Sequence, residues 1–197
     1  MRITRLIIII TSLCLGSGLV MYYRVYLRPP ATPFFEKGSA ESSSEYKTLA
    51  WHGNAEKLAP FRTRDINGAL FDSSDLEGKV VFLNFWTTWC QPCVAEMSAM
   101  ERLHQKLKDK EFAMVAVNIK ESLSQVNGFM RANKLTFTTL LDPDGEIAYN
   151  FGVHATPTTF IFGKSGQLLE TVVGSRSWDR TPYISRFEQM VKSDPTR

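Results

Sequence analysis

The chain has 197 residues, 44% of them apolar, which suffices for one domain with one substantial core plus extensions. Its formal charge of +3 has a local origin: Arg2, Arg5, Arg24 and Arg28 stand in a stretch without acids, and removing those four from the 23 basic residues leaves 19 against 20 acidic ones. So even a balance offers no clustered basic face for nucleic acid, and three cysteines are too few for a disulfide-stapled mini-domain.

The first segment, residues 1–28, reads as a signal anchor. Leu6 to Tyr23 is an uncharged run of 18 residues flanked by arginines, long enough for a transmembrane helix over about 6–23. Tyr22 and Tyr23 beside Arg24 suit a membrane interface. The rival reading is a cleaved signal peptide, with Gly16-Ser17-Gly18 near the cleavage site. Either one places the body of the protein outside the cytoplasm when the N-terminus stays inside. Cys14 sits mid-segment as a small apolar residue. Residues 29–58 mix Pro, Ser, Gly and charge without a sustained period and read as a flexible linker. The folded domain is expected over 59–192, with a short tail at 193–197.

Within the domain, "KVVFLNFW" (Lys79 to Trp86) and "FAMVAVN" (Phe112 to Asn118) suit strands buried on both faces. Between them Cys93, Met97, Met100, Leu103 and Leu107 recur at steps of three and four, the mark of an amphipathic helix. The two strands of this β-α-β unit are expected parallel, with a right-handed crossover. Helices follow over Leu123 to Ala132 and Glu146 to Phe151. "TTFIF" (Thr158 to Phe162) and "QLLETVV" (Gln167 to Val173) predict an antiparallel hairpin. A last helix is predicted with Thr181 as its cap, Pro182 in its first turn, and Tyr183, Phe187, Met190 and Val191 on its buried side.

Cys90 falls where the first strand gives way to the helix carrying Cys93. Unsatisfied N–H groups and the macrodipole at a helix N-terminus favour a thiolate, which makes Cys90 the nucleophile candidate. Cys93, one turn on and expected to be less exposed, is the candidate for the resolving thiol that releases a mixed disulfide. A permanent disulfide closing so short a loop would stabilise little. Zinc would want two paired ligand clusters, whereas His52, His104 and His154 lie at no ligand spacing to this one pair. No metal and no cofactor is expected.

A strand, then "WCQPC" opening a helix, then "ATPTTFIF" before a hairpin, resembles the thioredoxin superfamily. More narrowly, "GKVVFLNFWTTWCQPCVAEM", "LLDPDGEIAYNFGV" and "ATPTTFIFGKSGQLL" look like its TlpA/ResA-like branch of membrane-tethered thiol-disulfide oxidoreductases. The likeness spans roughly Ala59 to Val191. It implies a thioredoxin fold, an α/β structure with a central mixed β-sheet flanked by helices, and a redox-active Cys90–Cys93 disulfide. Pro157 matches the family's cis-proline, which leaves the backbone of Thr156 to pair with an extended substrate; from the residues alone, a trans-proline at a strand start fits as well. Glu96 matches an acid that this branch places one turn after the second cysteine, where a carboxylate of raised pKa takes a proton from Cys93. A first-turn helix acid favoured by the dipole is the plainer reading of Glu96. Asn84 stands where thioredoxin carries a buried acid. Trp89 is the candidate contact for substrate and Trp86 a core residue. Ser98 departs from the proline common in the family two residues after the glutamate.

The resemblance implies a protein disulfide oxidoreductase acting on dithiol or disulfide substrate proteins. It points to a reductant that draws electrons from a membrane donor and serves apocytochrome c or copper-site assembly proteins, at a bacterial inner membrane with the catalytic domain on the periplasmic or extracytoplasmic side. Two alternatives stay open. Thr87 three residues before Cys90 fits a thiol peroxidase, although Leu83 replaces the proline of that motif. Cys90, Cys93 and His154 could also serve a copper-binding chaperone.

Overall fold

The computed structural model describes residues 57–193; the expected anchor and nearly all of the expected linker lie outside the described residues. Among the described residues no helix is long and apolar enough to cross a membrane. The chain first forms a small antiparallel pair, β1 (Arg62–Arg64) with β2 (Leu70–Asp72), followed by a 3-10 turn at Ser73–Leu76. Then come β3 (Val80–Trp86), α1 (Gln91–Leu107), β4 (Phe112–Ile119), α2 (Leu123–Ala132), β5 (Thr138–Asp142), α3 (Glu146–Asn150), β6 (Thr158–Phe162), β7 (Leu168–Val173) and α4 (Thr181–Lys192).

The five long-range strands lie in the order β5-β4-β3-β6-β7. β3, β4 and β5 run parallel, while β6 and β7 are antiparallel to their neighbours, so the mixed sheet and the parallel β-α-β unit take the arrangement the sequence predicts. Every residue of β3 is buried, because this central strand is covered on both faces. Its side chains alternate between two cores. Val80, Phe82 and Trp86 face α1, α2 and α4 in one cluster with Met97, Met100, Leu103, Met130, Trp178 and Phe187. Val81, Leu83 and Phe85 face the other way, toward Phe151, Phe160, Phe162, Leu140 and Leu76. Burying this many large side chains at about 25 cal/mol per Å² is the main favourable contribution to the fold.

Three strands were not foreseen from the sequence. β1 and β2 have three residues each, too few to express a period, and β5 is a five-residue run hidden inside "LTFTTLLD". The predicted cap of the last helix is also corrected. Arg180, with extended backbone (φ −71°, ψ 146°), is the N-cap and makes no side-chain capping bond, while Thr181 is already helical. Pro182 sits in the first turn, where a missing N–H costs nothing.

Candidate active site

The parallel strands β3, β4 and β5 all end on one side of the sheet, and β6 begins there. Open α/β sheets place their chemistry at the carboxyl ends of such strands. Here that end holds both cysteines.

Cys90 follows β3 as the N-cap of α1, and its sulfur accepts the backbone N–H of Cys93 at 3.3 Å. A cysteine in this position takes the place of the oxygen that usually caps a helix, so the N–H and the helix dipole both favour negative charge on Sγ. Pro92 lies in the first turn, as the sequence suggests. Cys90 and Cys93 are joined by a disulfide, with Cys90 6% exposed and Cys93 fully buried. The outer sulfur therefore belongs to Cys90. Beside it, Trp89 is 72% exposed, whereas Trp86 is wholly buried and packs against Phe129.

Pro157 follows a cis peptide bond from Thr156, and the Thr156 carbonyl oxygen lies 3.5 Å from Cys90 Sγ. The structure thus brings Thr156 and Pro157 to the outer cysteine although 66 residues separate Cys90 from Thr156. His154 is exposed on the loop before them.

Glu96 is one turn beyond Cys93 on α1 and only 2% exposed. Oε1 accepts the Asn84 side-chain N–H at 3.0 Å; Oε2 accepts the Arg176 backbone N–H at 3.0 Å and the Trp178 indole N–H at 2.8 Å. Burial pushes its carboxyl above the ordinary value, and the three N–H donors, with the nearby Arg176 charge, pull partly back. A merely dipole-favoured first-turn acid would lie in solvent. This one is enclosed. Asn84 also donates to Thr159 Oγ1 at 2.9 Å, so the residue standing where thioredoxin has an acid here links β6 to Glu96.

Sequence reasoning missed two features of this end. Arg176 and Trp178 come from the loop after β7, where Gly174 (φ 87°) turns the chain back and donates its N–H to the Pro157 carbonyl. A lone tryptophan in the polar stretch "GSRSWDR" was the available signal. The second is Glu121, just after β4. Its carboxylate accepts the Thr88 backbone N–H at 2.7 Å, the Thr88 hydroxyl, and the Asn118 side-chain N–H at 2.7 Å. Glu121 thereby clamps the loop that carries Trp89 and Cys90. The preceding Lys120 takes positive φ (57°), a conformation a side chain rarely adopts, and donates its N–H to the Asp142 carbonyl.

Comparison with known proteins agrees with this geometry. Residues 55–171, more than half of the chain, match the model of the AhpC/TSA family. The chain is 38% identical over 115 residues to the thiol-disulfide oxidoreductase ResA of Bacillus subtilis (strain 168), covering 58% of this chain and 64% of that one, thus less than two thirds of that relative. It is 37% identical over 122 residues to the ResA of Bacillus thuringiensis subsp. konkukian (strain 97-27), covering 61% of this chain and 70% of that one. Among solved structures, StoA from Bacillus subtilis superposes with a TM-score of 0.57 at 26% identity, over 68% of this chain and 97% of that one.

Proposed function

We propose that the chain, which belongs to the AhpC/TSA family, is a thiol-disulfide oxidoreductase of the ResA type and works as a reductant of cysteine pairs in extracytoplasmic proteins. The observation that carries this reading is the Cys90–Cys93 disulfide at the N-terminus of α1 with Glu96 enclosed one turn behind it. In the reduced protein the Cys90 thiolate attacks a substrate disulfide, and one substrate sulfur leaves as a thiolate. Cys93 then gives its proton to Glu96 and attacks Cys90 Sγ. The second substrate sulfur departs, the substrate has gained two electrons, and the Cys90–Cys93 disulfide has formed. The exposed ring of Trp89 and the Thr156 backbone beside Pro157 form the docking surface for the substrate chain.

Apocytochrome c and copper-site assembly proteins are the substrate classes that the family likeness supports, and a membrane donor returns electrons to the pair. Residues 1–28 serve as the anchor, with the spanning helix at about 6–23, and residues 29–58 tether the domain of residues 59–192 on the outer side of a bacterial inner membrane. Protease or membrane-impermeant thiol-reagent access to Cys90 in intact cells tests that orientation; protection until the membrane is breached would overturn it.

Direction depends on the potential of the pair, where some 30 mV amounts to about 1.4 kcal/mol. Equilibration of the full-length chain in glutathione buffers with thiol trapping measures it. A value near or below about −270 mV is expected, and one near −120 mV, as in strong disulfide donors, would sink the reductant reading. The peroxidase alternative predicts peroxide consumption without any protein thiol partner. The copper alternative predicts stoichiometric retention that needs His154.

A further inference from the structure

Each oxygen of a carboxylate has about two acceptor positions, and an indole N–H only donates. At Glu96 these counts are unequal. Among the described residues, Oε2 receives two donors, the Arg176 backbone N–H and the Trp178 indole N–H, whereas Oε1 receives the Asn84 amide alone. A proton placed on Oε2 would face two donors with no acceptor among them. A proton on Oε1 has an acceptor position to occupy.

We propose that Trp178 is a positioning residue for the release step: together with the Arg176 backbone N–H it fills Glu96 Oε2, so that the proton given up by Cys93 is taken on Oε1. This rests on Glu96 being the proton acceptor. Packing fixes the indole in place. Trp178 is fully buried, its ring held edge-on against Phe82 at 4.9 Å and tilted against Tyr183 at 5.0 Å. Gly174 supplies the turn that sends this loop back to α1. The proton leaves the Cys93 S–H, the Cys93 sulfur forms its bond to Cys90, and the substrate sulfur leaves with the electron pair of the broken S–S bond. The groups that bear on Glu96 are Asn84 from β3 and Arg176 and Trp178 from the loop after β7, and Cys93 stands one turn before it on α1. Tyr183 of α4 reaches it only through Trp178. Removing the indole donor weakens support for the ionised form, so the midpoint of Glu96 rises.

The test uses the full-length reduced chain, loaded at Cys90 with a chromogenic aromatic disulfide. The rate at which Cys93 expels the aromatic thiol is followed against pH. The native chain is expected to have a rising limb belonging to Glu96, and Glu96→Gln to lack it. Trp178→Phe is expected to move the limb up by about one pH unit, the size of one hydrogen bond to a charged group. Tyr183→Leu, which loosens the ring contact and keeps the indole donor, is expected to lower the melting temperature and leave the limb in place.

An unmoved limb in Trp178→Phe, with the limb lost in Glu96→Gln, overturns the assignment to Trp178 and keeps Glu96 as acceptor. A shift in Tyr183→Leu as large as that in Trp178→Phe also overturns it, since packing alone would then be responsible. A limb that survives Glu96→Gln removes the acceptor and the proposal together. If Trp178→Phe does not fold, the native chain with ¹⁵N-labelled indoles gives the answer. One indole N–H resonance is expected to titrate with the midpoint of the rate and to stand still in Glu96→Gln; the absence of such a resonance overturns the proposal.

Discussion

The two faces of β3 both point into the protein, three side chains on one and four on the other, and do different work. One face sends Val81, Leu83 and Phe85 into an aromatic cluster with Phe151, Phe160 and Phe162, where Phe85 and Phe160 meet edge to face at 5.8 Å. The other sends Val80, Phe82, Asn84 and Trp86 toward α1, and there the apolar packing is interrupted by the chain Thr159–Asn84–Glu96–Trp178. The first face is dry and stabilises. The second gives up some of that stabilisation to keep an acid out of water behind a buried cysteine, since burial disfavours the ionised Glu96 carboxyl more than its hydrogen bonds favour it. The difference places chemistry and stability on opposite sides of one strand, and substitutions on the two sides are expected to separate them.

The largest effect is expected on the chemical side. Cys93→Ser removes turnover and leaves Cys90 covalently joined to its substrate, an adduct read by mass under non-reducing conditions; an intact catalytic cycle in this variant would refute the assignment of the resolving thiol. On the dry side, Phe160→Ala is expected to cost about 3–5 kcal/mol of unfolding free energy. Its denaturation midpoint falls while the potential of the cysteine pair in the folded protein stays that of the native chain. A changed potential would mean that the two faces are coupled.

Glu96→Gln separates the faces by pH. Burial raises the carboxyl above its ordinary value, so between that value and the raised one the folded state binds more protons than the unfolded state. Stability therefore falls as pH rises through that window in the native chain, and it is expected to stay flat there in Glu96→Gln. In the same variant the release of substrate is expected to slow about 100-fold near neutral pH, the lower end of what a positioned base supplies. The smallest effect on stability belongs to the rim. Trp89→Ala should change unfolding free energy by less than about 0.5 kcal/mol, because the ring is exposed, and raise KM for a protein substrate while leaving kcat nearly intact. A fall in kcat with KM unchanged would argue against a docking role.

Much of this separation was legible in the sequence, for physical reasons. Val80–Trp86 and α1 announce themselves because burial on two faces demands a nearly continuous apolar run, broken here at Asn84, and burial on one demands a 3.6-residue period. Cys90 as a helix cap follows from the strand-to-helix junction alone. Pro157 does not: its place beside Cys90 depends on β6 lying antiparallel to β3, a pairing made across long sequence separation. The family likeness supplied what periodicity lacked. Glu121 and Trp178 escaped both routes, because each acts by a hydrogen bond from one loop to a distant element. Glu121 was nonetheless within reach, since any acid just after β4 must emerge at the same end of a parallel pair as the cysteine after β3.

The sulfur of Cys90 is at once the reactive atom and the cap of α1, which ties electron flow to the melting of the domain. Oxidised and reduced forms, folded and unfolded, close a four-cornered cycle, so the potential of the folded pair differs from that of an unstructured one by the difference between two unfolding free energies. The capping N–H favours the thiolate and pulls toward an oxidant. The enclosed Glu96 disfavours nearby negative charge and pulls the other way. A fold that makes the pair more reducing than an unstructured one melts higher oxidised than reduced, and two thermal scans of the same chain give the size of that shift before any partner is in hand.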